Sequence, residues 1–202
     1  SRLLPQAEPE ISEALSTAFR KEGIRLYCGI AYDACREDES GVTVFVEDEN
    51  RIVEIKGEKL LVATGRTPNT DHLGFREAGI ELDRRGAIII DEHMRTSRRG
   101  VYAAGDVTDR DQFVYMAAYG AKIAAKNALN GDSLYYDNGA MPWVVFTDPQ
   151  VAGVGVSESA AKWEDRPIKT SILRLDQLPR ALAARDTRGL IKLVADAETG
   201  KL

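Results

Sequence analysis

The sequence predicts a mixed fold, in which an α/β portion is followed by the beginning of an α+β portion. Two observations carry this prediction. An apolar run that ends in small residues and a glycine occurs twice, at 60–65 and at 101–105, and an alanine-rich helical pattern follows the second run at 112–130. From residue 141 onwards, four short strand patterns accompany a single short helical pattern. Buried strands followed by helices are typical of α/β proteins, and the strand-rich end is typical of an α+β domain.

The first sixty residues predict one helix and a small antiparallel sheet. Residues 8–21 have apolar positions at helical spacing, basic residues near the end, and Gly23 as a stop signal. We expect a short strand at 24–27. The β-branched runs 42–46 and 51–55 flank an acidic turn and predict a hairpin.

The rest of the chain predicts strands that alternate with helices. The runs 60–64 and 101–104 are apolar on consecutive residues, so both are expected to be buried strands. A helical turn at 75–80 and a helix at 157–163, capped by Ser157, are also expected. The other predicted elements are strands at 87–91, 143–146, 151–155, 168–175 and 190–194 and the long helix at 112–130.

Composition excludes several classes of protein. The chain has 202 residues, 44% of them apolar and 29% charged, which is the composition of a folded globular protein. The net charge of −5 gives no support for a nucleic-acid-binding face. No apolar stretch approaches the length of a membrane span, and no signal peptide is visible. The chain has only two cysteines, which do not form a disulfide framework, so a reducing cytoplasm is the simplest expectation.

Asp106 is the first candidate for a functional residue. It follows Gly105 at the end of the second apolar run, where a carboxylate is costly unless it is hydrogen-bonded. Ligands of open α/β sheets bind at the carboxyl ends of strands, and a carboxylate at this place can accept hydrogen bonds from a sugar-like hydroxyl. The alternative is a purely structural role for Asp106 as a turn or helix cap, since Thr108 and Asp109 follow.

The two glycine-bearing segments together identify a family resemblance. They read Ala63-Thr64-Gly65-Arg66-Thr67-Pro68-Asn69 and Tyr102-Ala103-Ala104-Gly105-Asp106. This pair resembles the segments that close the FAD-binding domain of the two-dinucleotide flavoprotein disulfide reductases. The resemblance implies parts of FAD- and NAD(P)-binding Rossmann-like domains, followed by the start of an α+β dimerisation domain. Residues 1–66 would be the end of the NAD(P)H domain, 67–136 the second segment of the FAD domain, and 137–202 the incomplete dimerisation domain.

The resemblance also implies roles for five residues. Asp106, with Gly105 before it, would bond the ribityl chain of FAD, and the Val114 backbone at the start of the following helix would face the flavin pyrimidine ring. Gly65 and Arg66 would lie near the nicotinamide nucleotide, although a tight crossover would also need small residues there. For the side chains of Phe113 and Tyr115, core packing is the expected role.

No catalytic or metal-binding residue is expected within this chain. Cys28 and Cys35 are separated by six residues, whereas the redox cysteines of the resembled family are four residues apart and lie upstream. We therefore expect structural or free thiols. His72 and His93 lie in polar turn contexts without metal-ligand spacing, and we expect both at the surface.

Later segments resemble the mercury-reducing branch of the family. These are 112–115, 178–183 and 186–194, and the dimerisation-domain signature lies at 140–155. The resemblance implies a homodimer that uses NADPH and FAD to reduce Hg(II). Dihydrolipoamide dehydrogenase, or another disulfide reductase, is the first alternative, and a non-catalytic interaction module is an alternative of another class.

The chain is interpreted as an excerpt of a longer protein. It has no initiator methionine, ends as a new strand pattern begins, and contains no Gly-x-Gly-x-x-Gly fingerprint. Because the phosphate-binding glycine loops are missing, we expect the 202-residue chain alone to be inactive and not to retain FAD or NADPH.

Overall fold

The computed structural model describes residues 2–202, which divide into two compact units. One unit combines the residues up to Val62 with Ala140–Leu202, and the other is Ala63–Gly139. The structure contains both helices and small antiparallel sheets, in agreement with the predicted mixed fold. The division into three domains stays a prediction.

The predicted first helix is confirmed as α1, Pro9–Lys21. Proline suits the first position because the N–H that it lacks would have no partner within the helix, and Glu10 in the first turn suits the positive end of the helix dipole. Leu15 and Ala18 are buried on one face. Ser16 is buried on the same helix, and its hydroxyl donates to the carbonyl of Ser12 at 2.8 Å, so its polar group is satisfied.

A three-stranded antiparallel sheet follows α1. It consists of β1 (Ala31–Asp38), β2 (Gly41–Asp48) and β3 (Arg51–Gly57). The predicted hairpin is confirmed by the pairing of β2 with β3, and the positive φ angles of Glu49 and Asn50 are those of a tight turn that matches strand twist.

The N-terminal strand predictions were partly wrong. No strand forms at 24–27. β1 was not predicted, because every one of its residues is exposed and it therefore lacks a buried apolar alternation.

The two runs predicted as buried strands differ from expectation. Residues 60–64 form no strand and are exposed, with Leu61 at 88%. Residues 101–104 are half-buried and carry a single bridge, between Arg95 and Tyr102. The predicted strand at 87–91 is likewise reduced to isolated bridges. Within residues 2–202 no neighbouring strand pairs with these runs, and apolar composition alone cannot make a strand without a partner.

Two helices of unit Ala63–Gly139 frame the candidate site. A short 3-10 helix, Asp106–Thr108, follows Gly105 directly. The long helix α2 is Val114–Asn130 and ends at Gly131, close to the predicted 112–130. The predicted turn at 75–80 is present, and Gly79 within it has a φ of +78°.

The C-terminal part confirms its predicted strands and helix. The strand β4 (Trp143–Val145) pairs with β5 (Val151–Gly153), and β6 (Ile168–Arg174) pairs with β7 (Leu190–Asp196), both antiparallel. Helix α3 is Glu158–Trp163. The hydroxyl of Ser157 accepts from the amide of Ala160 at 3.0 Å, which is the predicted cap. Two short helices were not predicted, the 3-10 helix Leu175–Gln177 and α4, Pro179–Ala184.

A buried lysine joins α1 to the C-terminal elements. The Lys192 ammonium on β7 lies 2.7 Å from Glu8, 3.1 Å from Glu10 and 2.6 Å from Glu158, and its side chain is only 4% exposed. Burial alone would lower the pKa of Lys192, but the hydrogen bonds to the three carboxylates outweigh it and raise that pKa. Lys192 therefore stays charged and links residues that are distant in sequence.

Among the helices at residues 2–202, none combines the length and the apolar character that crossing a membrane requires.

Candidate functional site

The structure brings together two of the predicted site residues, Arg66 and Asp106. Nη1 of Arg66 donates to Oδ2 of Asp106 at 2.5 Å, and Nη2 donates to the carbonyl of Gln112 at 3.0 Å. Arg66 follows the first apolar run and Asp106 follows the second, so the ends of both runs meet at this pair. The guanidinium fork thus joins three points of the chain, the last of which lies just before α2.

Gly105 allows the chain to turn close to α2. Its φ is +82°, a conformation that residues with a side chain rarely adopt. A Cβ atom at this position would lie 3.1 Å from the Cβ of Ala117 on α2. Both the backbone conformation and the lack of space for a side chain therefore favour glycine at this position. As a result, Asp106 lies directly beside α2.

The Asp106 carboxylate keeps one acceptor oxygen open. Oδ2 is bonded by Arg66, and within residues 2–202 Oδ1 accepts no hydrogen bond. The side chain is 45% exposed, so a ligand can reach it. A carboxylate held on one oxygen by Arg66, with the other oxygen open, is suited to accept a hydrogen bond from a ligand hydroxyl.

The N-terminus of α2 is also open to a ligand. Its N-cap residue is Phe113, and no side chain caps it. Val114, the first residue of α2, is 86% exposed. Backbone N–H groups at such a terminus favour a ligand with negative charge.

The side chains beside Val114 are not packed in the core, which corrects our prediction. The rings of Phe113 and Tyr115 stack on each other instead, with centroids 5.3 Å apart. Phe113 is half-buried at the N-cap, where the backbone is still extended. Tyr115 is exposed, because it does not share the helix face that is buried at Met116 and Gly120.

Gly65 precedes Arg66 in an exposed, extended stretch of chain. Its φ is +127°, and a Cβ atom there would meet nothing within 4 Å. The requirement for glycine at this position is therefore conformational, and the space around it is left open to a ligand or to another part of the chain.

Charged and polar contacts that were not predicted hold the loop between Asp106 and α2. Asp109 pairs with Arg85 at 2.6 Å and accepts from the Gln112 amide at 2.7 Å. Asp111 accepts from the hydroxyl of Tyr136 at 3.0 Å. The sequence signal that could have identified this loop is its repeated aspartates between an apolar run and a helix.

Tyr136 is the buried member of this arrangement. Burial, together with the hydrogen bond to Asp111, raises the pKa of Tyr136, so its hydroxyl remains a proton donor to that carboxylate. The guanidinium of Arg110 lies over the Tyr136 ring, 4.4 Å from its centroid. The loop is thus also held by a cation–π contact of Arg110 and by a hydrogen bond to Asp111.

The thiols and imidazoles lie outside this site. Cys28 and Cys35 are free and exposed, as predicted. His72 is exposed, also as predicted, but the prediction for His93 was wrong because it is buried. A ring nitrogen of His93 lies 3.0 Å from the carbonyl of Leu134, and the Asn127 amide donates to the His93 carbonyl at 3.0 Å. These long-range contacts bury a residue whose local sequence is polar.

Two family descriptions match the chain. Residues 1–125 match the pyridine nucleotide-disulphide oxidoreductase family, and residues 141–202 match the dimerisation domain of pyridine nucleotide-disulphide oxidoreductases. The first match covers the site around Arg66 and Asp106, and the second covers the C-terminal strands.

Similar curated proteins include mercuric reductases from several bacteria. The mercuric reductase of Bacillus cereus is 44% identical over 201 residues, which are 100% of this chain and 32% of that protein. The mercuric reductase of Shigella flexneri is 45% identical, over 100% of this chain and 36% of that protein. The chain therefore spans about a third of the length of these relatives.

Similar solved structures include a flavoprotein disulfide reductase. The HOCl-induced flavoprotein disulfide reductase RclA from Escherichia coli is 29% identical, with a TM-score of 0.83 over 97% of this chain and 44% of that one. LpdA from Mycobacterium tuberculosis is 30% identical, with a TM-score of 0.83 over 96% of this chain and 41% of that one.

Proposed function

Because the chain belongs to the pyridine nucleotide-disulphide oxidoreductase family, we propose that the full-length protein is a mercury(II) reductase. In this proposal an FAD-dependent enzyme passes electrons from NADPH through the flavin and a cysteine pair to Hg(II), and elemental mercury is released. The observation that carries the proposal is the identity of 38–45% to mercuric reductases over 99–100% of this chain. The overall reaction balances: NADPH is oxidised to NADP⁺ with loss of two electrons and one proton, Hg(II) takes both electrons, and the proton is released to water.

The residues of the candidate site fit an FAD. Asp106 offers the open oxygen Oδ1 to a ribityl hydroxyl, and Gly105 holds that carboxylate close to α2. The uncapped N-terminus of α2 at Val114 would lie where the flavin pyrimidine ring is negatively charged. When bound, the flavin supplies a two-electron carrier between nicotinamide and thiols, and the chain supplies orientation and electrostatics.

Gly65 and Arg66 complete the proposed cofactor-binding set. The exposed backbone at Gly65 has room for a nicotinamide nucleotide of NADPH to approach. Arg66 belongs to the set through its bonds to Asp106 and Gln112. The redox cysteine pair of the proposed reaction would come from outside this chain, since Cys28 and Cys35 are exposed, unpaired and seven positions apart.

We propose a homodimer and a cytoplasmic location. Residues 141–202 match a dimerisation domain, and this part exposes large apolar side chains, including Phe146 and Trp163. Apolar surface of this kind favours an interface. The free thiols Cys28 and Cys35 fit a reducing compartment such as the cytoplasm.

A disulfide reductase, such as a dihydrolipoamide dehydrogenase, is the second candidate. Its support is the likeness to RclA, which is described as a flavoprotein disulfide reductase, with a TM-score of 0.83. Both candidates use the same site around Asp106, so the geometry of this chain does not separate them. The two candidates differ in the substrate that accepts the electrons, so the acceptor separates them.

The test is a panel of acceptors offered to the purified full-length protein. NADPH and NADH oxidation would be followed with Hg(II) in the presence of excess thiol, with lipoamide, and with glutathione disulfide. The proposal predicts flavin in the protein, a preference for NADPH, and turnover with Hg(II) at least tenfold faster than with either disulfide. Faster turnover with a disulfide would replace the proposal with the second candidate.

A further inference from the structure

We infer that Arg66 is a positioning residue of the flavin site, which acts through Asp106 and the carbonyl of Gln112. The inference rests on the proposed function and goes beyond it, since it assigns to Arg66 an indirect role in holding FAD. In this role Arg66 need not touch the nicotinamide nucleotide.

The geometry of the guanidinium supports this role. One nitrogen of Arg66 is 2.5 Å from Oδ2 of Asp106 and another is 3.0 Å from the carbonyl oxygen of Gln112. Two donors of the same planar group are therefore committed to two different segments. A planar guanidinium with both contacts made has little freedom to rotate. It therefore fixes the position of the Asp106 segment relative to the Gln112 segment.

The two segments held by Arg66 are the parts of the chain proposed to contact the flavin. Asp106 offers its other oxygen, and Gln112 lies two residues before Val114, where α2 begins. Asp109 and Asp111, between them, both have positive φ angles. A loop with this backbone depends on its contacts for its shape, and Arg66 spans it from end to end.

Stability of the fold does not account for the pair. The side chains of Arg66 and Asp106 are 60% and 45% exposed, and ion pairs at such exposure contribute little to the stability of a fold. The contacts of Asp109 with Arg85 and of Asp111 with Tyr136 hold the loop independently. What Arg66 adds is the orientation of the Asp106 carboxylate, with Oδ1 left open.

The test measures FAD binding and NADPH use separately in the full-length holoprotein. The variants are Arg66→Met, Arg66→Lys, Asp106→Asn and the double variant Arg66→Met/Asp106→Asn. The dissociation constant of FAD comes from reconstitution of apoprotein, and the KM for NADPH comes from steady-state turnover. Arg95→Met is the matched control, because Arg95 also bridges two carboxylates, Asp91 and Asp132, in the same unit.

The inference predicts that Arg66→Met weakens FAD binding about tenfold, since the hydrogen bond that orients the charged carboxylate of Asp106 is lost. Arg66→Lys should fall between wild type and Arg66→Met, because an ammonium cannot hold both segments at once. The dissociation constant of FAD in the double variant should be no higher than that of whichever single variant binds FAD less tightly, because both substitutions remove the same contact. The KM for NADPH of the Arg66 variants should stay within about twofold of wild type. The FAD affinity of the control variant Arg95→Met should also stay within about twofold of wild type.

Three results would overturn the inference. They are wild-type FAD affinity in Arg66→Met, full additivity in the double variant, and a rise in the KM for NADPH with unchanged FAD affinity. If Arg66→Met does not fold, as judged by circular dichroism, the same comparisons are made with Arg66→Lys. A wild-type protein that neither contains nor takes up FAD would overturn the proposed function itself, and this is seen before any variant is compared.

Discussion

The guanidinium of Arg66 and the carboxylate of Asp106 lie 2.5 Å apart, although forty positions separate them in the chain. The pair joins the ends of two apolar runs, each of which terminates at a glycine. It also leaves one oxygen of Asp106 free to accept a hydrogen bond. The proposed hydrogen bond between Asp106 and a hydroxyl of FAD depends on that oxygen.

Removal of the Asp106 carboxylate should weaken FAD binding in the full-length protein. Asp106→Ala removes a hydrogen bond from a charged acceptor, which is worth about 1.5–3 kcal/mol, so the dissociation constant of FAD should rise about tenfold or more. Flavin content and reconstitution titrations measure it. Asp132→Ala, which breaks a comparable contact with Arg95 at the other end of α2, should leave FAD affinity unchanged. Equal losses in both variants would contradict the assigned role.

Removal of the buried Lys192 ammonium should destabilise the chain strongly. Lys192→Met leaves the carboxylates of Glu8, Glu10 and Glu158 without their shared cation, and breaking a buried ion pair in this way costs about 3 kcal/mol. Lys162→Met is the control, since Lys162 contacts the same Glu158 but is exposed, and about 0–1 kcal/mol is expected. Urea unfolding of both variants measures the difference, and similar midpoints would count against a structural role for Lys192.

Acid should destabilise the chain through Glu158. Hydrogen bonds from Lys162 and then Lys192 lower the pKa of Glu158 from 4.5 to about 2. A lowered pKa in the folded state contributes stability that is present above pH 4.5 and is lost as the pH falls towards 2. Glu158→Gln should therefore reduce the dependence of the unfolding free energy on pH in this window. An unchanged slope between pH 4.5 and 2 would show that Glu158 does not carry this dependence.

Gly153 should not tolerate a side chain, because it faces Trp143. A Cβ atom at Gly153 would lie 2.7 Å from the Trp143 ring, so Gly153→Ala must displace an indole in the pairing of β4 with β5, at a cost of about 1–3 kcal/mol. Gly57→Ala is the control, since its nearest contact is an ordinary 3.5 Å. In a Trp163→Phe background, the fluorescence of Trp143 should change only in Gly153→Ala. An unchanged spectrum and melting temperature there would refute the close contact.

Local sequence predicted the elements that are stabilised locally. The helix at α1, the hairpin of β2 and β3, and the Ser157 cap follow from residue spacing, turn residues and side-chain oxygens close in sequence. Asp106, Gly105 and Gly65 could also be selected from sequence, because their residue types at the ends of apolar runs are chemically unusual. Their roles towards FAD and NADPH stay predictions.

Contacts between distant segments could not be predicted. The partner of Asp106 is forty residues away, and no local pattern indicates that Arg66 reaches it. His93 lies in a polar turn, yet it is buried by contacts with Asn127 and Leu134. The run at 60–64 is apolar enough for a buried strand, but strand formation depends on a hydrogen-bonding neighbour, which residues 2–202 do not provide.

The most direct test of the account is the stoichiometry of the reaction before and after removal of the flavin. Full-length protein would be stripped of FAD, assayed with NADPH and Hg(II), and assayed again after FAD is added back. We predict no release of elemental mercury from the stripped protein, and one mercury atom released per NADPH oxidised after reconstitution. Mercury release that does not depend on FAD, or NADPH oxidation by the reconstituted protein without release of mercury, would contradict the account.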